Sequence, residues 1–487
     1  MLPRGADGEL PIGLQPRSSD EYAPLPQTPV VREAERRARA ECEDNARRLG
    51  INRRDFLRTT CAAATTLLAI NACTKDEHRA APKPSPRPSP SASSAGGSAS
   101  SSSPGVGGSY SIPPEATTEP TAAASAISGD EFVFDVQGHL LDRTLDPLAL
   151  EEFDIIARNF PQRGCGEHEP RDCFSIEHFL DEMFVNSDTT MLVLSALPLP
   201  NEHDPLSPAV MAETRRLAGA LCHDDRVLLH GKISPTTQPL ARTLAGMEQL
   251  VATQPIVGWK TFTHLLGPGW WLDDHDKQAP QVADAVIRKA IELRVPRIAV
   301  HKGIVNAPFN TPEDVGPAAK RHPEMQFLIY HSAFDINGVE GPYTTATANR
   351  GSNRLITSLR ASGITPNSNV YADIGTTWWQ LMKKPTEAAH LLGKVLKYVG
   401  EDNVLWGTDS IWYGSPQDQI QAFRAFEIST EFQERYGYPA LTKELKAKVL
   451  GLNGARVYGV DPVTAKCTFT RTDLDAARRL RTTSPAN

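Results

Sequence analysis

The 487-residue chain lacks a hydrophobic run long enough to span a bilayer; its one candidate, residues 59–72, is short and built of small residues. It lacks an excess of positive charge, with 51 Lys and Arg against 58 Asp and Glu and a net charge of −7, which excludes a nucleic-acid surface. No Gly-rich phosphate turn follows its first candidate strand, which argues against an open doubly wound sheet. Cysteine is sparse at seven residues, and three of these (Cys42, Cys61, Cys73) fall in the first 73 positions. The other four lack the close pairing of a zinc site. Cys165 and Cys173 flank a polar loop and suit a disulfide in an oxidising compartment better than a zinc site shared with His168, while Cys222 and Cys467 read as buried or peripheral thiols.

What is present changes character along the chain. Residues 1–73 read as an N-terminal extension plus an export signal. Residues 30–48, rich in Glu, Arg and Ala, suit a solvated helix. Arg53 and Arg54 precede Phe56, Leu57 and the small apolar stretch 59–72, an order that resembles a twin-arginine signal, whose route carries folded proteins. Ile70-Asn71-Ala72-Cys73 is similar to a bacterial lipobox, making Cys73 a lipidation candidate and the product a periplasmic protein or membrane-anchored lipoprotein. Residues 74–129, rich in Pro, Ser, Gly and Ala, are expected to be a disordered linker, because such composition buries too little apolar surface to offset chain entropy. The folded domain is expected over 130–462, with 463–487 as a C-terminal tail.

Beyond residue 130, short apolar runs alternate with helical patterns. Candidate strands are 132–135, 191–194, 227–230, 256–260, 298–301, 327–331, 370–373 and 404–407, and helices fall between them, as at 207–220, 281–293 and 385–399. Runs without polar alternation suit parallel strands buried on both faces. Eight strand-helix units predict an α/β fold, a (β/α)₈ TIM barrel, whose site lies at the C-terminal strand ends.

Those ends carry ligand chemistry. The first strand runs into Gln137 and His139, the fourth ends on Lys260, the fifth on His301, the sixth on His331 and the eighth on Asp409. One histidine at a strand end is an ordinary structural residue; three in corresponding places with an aspartate are a candidate divalent-metal centre. Trp270, Trp271, Trp378, Trp379, Trp412 and Tyr413 follow strands and are candidates to line a substrate pocket, Trp271, Trp378 and Trp412 foremost, or equally to pack loops on the barrel. The acidic run 273–276 reads as a solvated loop.

The order of first-strand motif, fifth-strand His, sixth-strand His and eighth-strand Asp resembles the amidohydrolase superfamily, in particular the amidohydrolase-2 branch that includes aminocarboxymuconate-semialdehyde decarboxylase. The segments 404–409 (VLWGTD) and 446–456 (KAKVLGLNGAR) add to the likeness, which covers roughly 130–462. The resemblance implies His139, His301 and Asp409 as metal ligands, His331 as ligand or acid/base, and Asp409 as the group that takes a proton from metal-activated water. It departs at the first motif, usually His-x-His, where Gln137 offers a neutral and weaker oxygen. Some superfamily members carry a carboxylated lysine at the fourth strand; for Lys260 the simpler reading is a cationic anchor for a substrate carboxylate.

The expected activity is metal-dependent hydrolysis of a C–N or C–O bond in a small cyclic or acyl substrate, with Zn²⁺ as cofactor and Mn²⁺ or Fe²⁺ as substitutes. One alternative is non-oxidative decarboxylation of an aromatic or dienoic acid, which a cationic Lys260 favours. Another is a surface-anchored binding protein on a decayed barrel, prompted by Gln137. The expected partners are a small-molecule substrate, the membrane through lipidated Cys73, and a second copy in a homodimer.

Overall fold

The computed structural model describes residues 8–19, 22–80, 105–141, 165, 170–197, 204–462 and 468–483. Eight parallel strands follow one another in sequence order: β2 (Phe134–Gly138), β3 (Met191–Leu194), β4 (Val227–Ile233), β5 (Ile256–Phe262), β6 (Arg297–His301), β7 (Gln326–Tyr330), β8 (Val370–Asp373) and β9 (Val404–Leu405). The two edges meet: Val136 N–H donates to the Trp406 carbonyl at 2.9 Å, Asp409 N–H to Gln137 at 3.0 Å and His139 N–H to Ser410 at 2.7 Å. A (β/α)₈ barrel results, with no open edge to template aggregation.

Strand alternation splits the apolar residues into two shells. Phe134, Met191, Val193, Leu328, Tyr371 and Leu405 fill the barrel interior. Leu192, Ile298, Phe327 and Ile329 belong to the separate outer core that includes the helices. Each such side chain taken from water contributes about 1.5–3 kcal/mol, so a strand apolar on both faces is held from both sides. Helix 453–458 packs at the other end of the interior from the site, where the Tyr458 hydroxyl meets His230 Nε2 at 2.9 Å.

Residues 59–72, the apolar stretch of the signal-like segment, lie mostly within α3 (Thr60–Ala80), with Ala62, Ala63, Ala64 and Leu67 buried. Helix α1 (Pro29–Arg48), begun by the Thr28 hydroxyl accepting from Val31 N–H and by Pro29 in its first turn, packs against α3. Small side chains permit that close approach. Cys73 is buried on α3 with its Sγ 4.0 Å from Arg37, so the lipidation candidate is enclosed in this fold. Arg53 and Arg54 stay exposed on the short helix α2 (Arg53–Phe56). Among the described residues no helix is long and apolar enough to cross a membrane.

The expected disordered linker needs correcting where it is described. Residues 81–104 lie outside the described set, but 105–129 are ordered: β1 (Gly108–Tyr110) pairs antiparallel with β10 (Phe426–Ile428), and α4 (Pro120–Ile127) follows. Tyr110, Ile112, Ala123 and Ile127 are buried, and Asn71 bonds Tyr110 through both its amide nitrogen and its oxygen. A few well-spaced apolar residues outweigh the average composition. In the tail, residues 471–483 form a helix that buries Leu474.

Cys165 and Cys173 are disulfide-bonded. Cys222, read as a thiol, is disulfide-bonded too; His168 and Cys467 lie outside the described residues. The acidic run is a structural device: Asp274 accepts from the backbone N–H groups of Val282, Ala283 and Asp284 at 3.0–3.2 Å, starting the next helix, and Asp273 holds His275.

Candidate active site

The C-terminal strand ends bring the sequence-predicted polar residues into two groups. In the first, β2 delivers Gln137 and His139 beside Asp409. The β2–β3 register is irregular between Asp135 and Gly138, just where these side chains leave the strand. Gln137 Nε2 donates to Asp409 Oδ1 at 2.9 Å, and His139 Nε2 lies 3.3 Å from the same oxygen. In the second, His301 ends β6 and His331 follows β7, their ring centroids 4.8 Å apart.

Each imidazole is oriented through Nδ1. That nitrogen faces the Ser195 carbonyl at 2.7 Å in His139, Asn310 Oδ1 at 3.0 Å in His301, and the Gly375 carbonyl at 2.9 Å in His331. An Nδ1–H donated to an oxygen fixes the tautomer that presents Nε2, which is how metal-bound histidines are commonly supported. Gln137 Oε1 is buried and accepts no hydrogen bond among the described residues, and Gly375 leaves it room: a Cβ there would come within 2.1 Å of it. This donor chemistry suits a divalent ion. Among the described residues, however, no three His, Cys, Asp or Glu side chains gather closely enough to hold one, so the arrangement is two groups rather than a closed cage.

Backbone strain gathers at the same ends. His331, Ser332 and Ala333 take φ of 62°, 50° and 54°, Thr376 55° and Asp409 60°. Left-handed non-glycine residues cost about 1–3 kcal/mol each and cluster where function fixes geometry. Asp373 holds one of these turns, its Oδ1 accepting from His331 N–H at 2.7 Å and Gly375 N–H at 3.3 Å. Burial pushes the Asp373 carboxyl up to about 6, opposed by His331 and Lys260. Burial also pushes Asp135 up to about 7, although Thr408 and the Gln137 backbone donate to it.

Lys260 lies inside the barrel, 1% exposed, with its ammonium 3.8 Å from the Tyr330 ring centroid and 4.4 Å from that of Phe262. Trp412 stacks beside His139 at 6.3 Å and is part of the site wall. Trp271 packs on Phe309 and His275 in the loop after β5. Trp378 does not line the site: its indole N–H donates to the Gln419 carbonyl, and its ring packs on Phe423 and Phe426. Sequence reasoning missed Asp373, Thr376, Asn310 and Ser195, and offered Tyr413 only as a ring of the pocket wall. Only Asp373, ending an apolar run as His301 does, carried a signal that could have found it.

The family model described as Amidohydrolase matches residues 196–460. Among solved structures, 5-carboxyvanillate decarboxylase from Sphingomonas paucimobilis is 14% identical, covering 68% of this chain and all of its own, with a TM-score of 0.41. For 2,6-dihydroxybenzoate decarboxylase from Rhizobium the values are 13%, 68%, 99% and 0.36. For 4-oxalomesaconate hydratase from Rhodopseudomonas palustris they are 16%, 72%, 100% and 0.38. At these scores the likenesses add nothing to the chemistry. No curated protein matches the sequence.

Proposed function

The chain belongs to the amidohydrolase family, and from that premise we propose that it is a divalent-metal-dependent decarboxylase of an aromatic or dienoic acid. The observation that carries the reading is the setting of Lys260. Its nitrogen faces two aromatic rings at 3.8 and 4.4 Å, whose negative faces attract a cation and would repel a carboxylated lysine. A buried cation in the barrel can anchor a substrate carboxylate, as decarboxylation requires; hydrolysis through a bridging lysine carbamate does not suit this position.

His139 and Asp409, with Gln137 Oε1, would hold the ion from the first group and His301 from the second, the two drawing together on it; the ion's contribution would be Lewis acidity that fixes the substrate's oxygens. The rest falls to the chain's own groups. Lys260 binds the departing carboxylate, and Trp412 and Phe262 offer flat apolar walls to a conjugated acid. The C–C bond breaks, CO₂ leaves, and the electron pair left on carbon takes a proton from Nε2 of His331, which enters the step as imidazolium and leaves it as the neutral Nδ1–H tautomer. The Gly375 carbonyl aims that imidazole by accepting from Nδ1.

The test is to supply Mn²⁺- or Zn²⁺-loaded protein with hydroxybenzoic and dienoic acids while following CO₂, and with lactones and amides in parallel. CO₂ release that is lost in Lys260→Met supports the reading. Turnover of lactones or amides alone, or undiminished CO₂ release by Lys260→Met, overturns it.

Export by the twin-arginine route is proposed alongside. Two features support it: exposed Arg53 and Arg54, and disulfide-bonded Cys165, Cys173 and Cys222, which suit an oxidising compartment. Fractionation of cells expressing the chain with Arg53→Lys/Arg54→Lys checks it; an unchanged distribution refutes it.

A further inference from the structure

The N-terminal residues 8–19 and Tyr22 lie against the loops that follow β8 and β9, the loops that carry Thr376 and Asp409. Ile12 and Leu14 are buried. Gly13 N–H donates to Asp418 Oδ2 at 3.0 Å, and a Cβ on Gly13 would come within 2.2 Å of the Trp379 ring, so only glycine allows this approach. Arg17 donates to the Tyr413 carbonyl and lies over Trp379, 5.6 Å from its ring centroid.

Through these contacts a hydroxyl chain enters the site. Gln380 Nε2 donates to the Tyr22 hydroxyl at 2.6 Å; Tyr22 and Tyr413 hydroxyls are 2.9 Å apart; Tyr413 and Thr376 hydroxyls are 2.7 Å apart; and Thr376 donates to Asp409 Oδ2. The Asp409 end sets the direction: Thr376 spends its one O–H on Asp409 Oδ2, so Tyr413 must donate to Thr376 and Tyr22 to Tyr413. Each hydroxyl therefore gives its proton toward Asp409. Burial holds the Tyr413 phenol in its protonated, donating form. With Gln137 bonded to Oδ1 and Thr376 to Oδ2, both Asp409 oxygens are oriented.

We propose that Tyr22 is a positioning residue for Asp409, brought into the active site by the N-terminal segment and acting through Tyr413 and Thr376. The segment that precedes the export-signal-like stretch is thus part of the active site rather than a dispensable leader. The inference rests on the placing of Asp409 in the site, not on which bond the enzyme breaks. Chains with and without the segment differ in how firmly Asp409 is held.

The test uses the full chain with Tyr22→Phe, which removes one hydroxyl, and Gly13→Val, which displaces the segment without touching the relay. Co²⁺-loaded protein is followed by its visible absorption, CO₂ release by kcat and KM, and stability by urea midpoint. Expected are an altered Co²⁺ spectrum and a kcat about 3–10-fold lower for both variants, with KM within about twofold and little change in the Tyr22→Phe midpoint. Thr376→Val should exceed both, and Thr376→Ser should restore most of the loss. A wild-type spectrum and kcat in Tyr22→Phe overturn the proposal. An altered spectrum in a protein that releases CO₂ from no acid would overturn the decarboxylase reading and leave this one standing.

Discussion

Lys302→Met tests how the loop behind His301 is held. Lys302 and Asp314 are both fully buried, paired at 2.8 Å; Lys302 also donates to the Phe309 carbonyl at 2.7 Å, and Leu272 N–H donates to Asp314 at 2.8 Å. Burial drives the Lys302 amine down and the Asp314 carboxyl up, and in each the partner only partly opposes it. Desolvation thus outweighs attraction, so the pair adds little net stability, yet removing one member leaves the other charge buried. That asymmetry makes the loss about 3–5 kcal/mol for Lys302→Met, whereas Lys302→Met/Asp314→Leu should return most of it. At an m-value of about 3 kcal/mol/M, the single variant should unfold at roughly 1–1.7 M less urea. A local effect accompanies it: Phe309 precedes Asn310, whose Oδ1 faces His301 Nδ1, so metal affinity should fall about 10-fold or more. Two results would refute the reasoning: a single variant within about 1 kcal/mol of wild type, or a double variant that loses the sum of both singles.

The remaining predictions concern the first motif and pH. Gln137→Glu gives the metal a charged oxygen but removes the N–H that satisfies Asp409 Oδ1, so the metal-free protein should melt lower and bind Mn²⁺ about 10-fold or more tighter. Calorimetric titration and melting curves with and without metal check this, and equal affinities count against Gln137 as a ligand. His390, packed on Phe432 and near Lys394 and Arg435, is pushed down to about 3, chiefly by burial. A base with a lowered folded pKa keeps its full stability above the unfolded value of about 6.5 and loses it as pH falls toward 3, up to several kcal/mol in all. Urea midpoints at pH 7.5 and 5 should therefore differ more in wild type than in His390→Phe; parallel behaviour would refute it.

All eight barrel strands were legible, because a strand buried on both faces must be apolar without alternation and each is bounded by polar residues. The positions of His139, His301, His331 and Asp409 followed from that frame, since parallel strands deliver their C-terminal ends to one rim. Other features depend on information that single positions do not hold. Trp378 and Trp412 both follow strands; only the path of each loop sends one ring toward Phe423 and the other toward His139. Thr376 looks like an ordinary loop residue, and Tyr413 like one more ring for the pocket, until left-handed turns at Thr376 and Asp409 bring their hydroxyls into line. At the N-terminus, the small residues that suit a signal's apolar stretch also suit a tightly packed helix, and composition alone does not separate the two.

Gln137 gains a different meaning from its surroundings. As a departure from His-x-His it read as a weakened ligand. An imidazole there would offer one nitrogen to a metal and have a single N–H to give elsewhere, whereas the amide does both from one end: Nε2 donates to Asp409 Oδ1 while Oε1 stays buried with no donor among the described residues. A buried amide oxygen left unpaired costs about 1–3 kcal/mol, and Gly375 preserves the space in front of it. A site that only needed to restrain Asp409 could have used a donor with no acceptor to strand. The stranded oxygen is the economical choice only if something electropositive meets it, and with Thr376 fixing the other Asp409 oxygen, that partner would find two oriented oxygen donors and the Nε2 of His139 on one side of the barrel mouth.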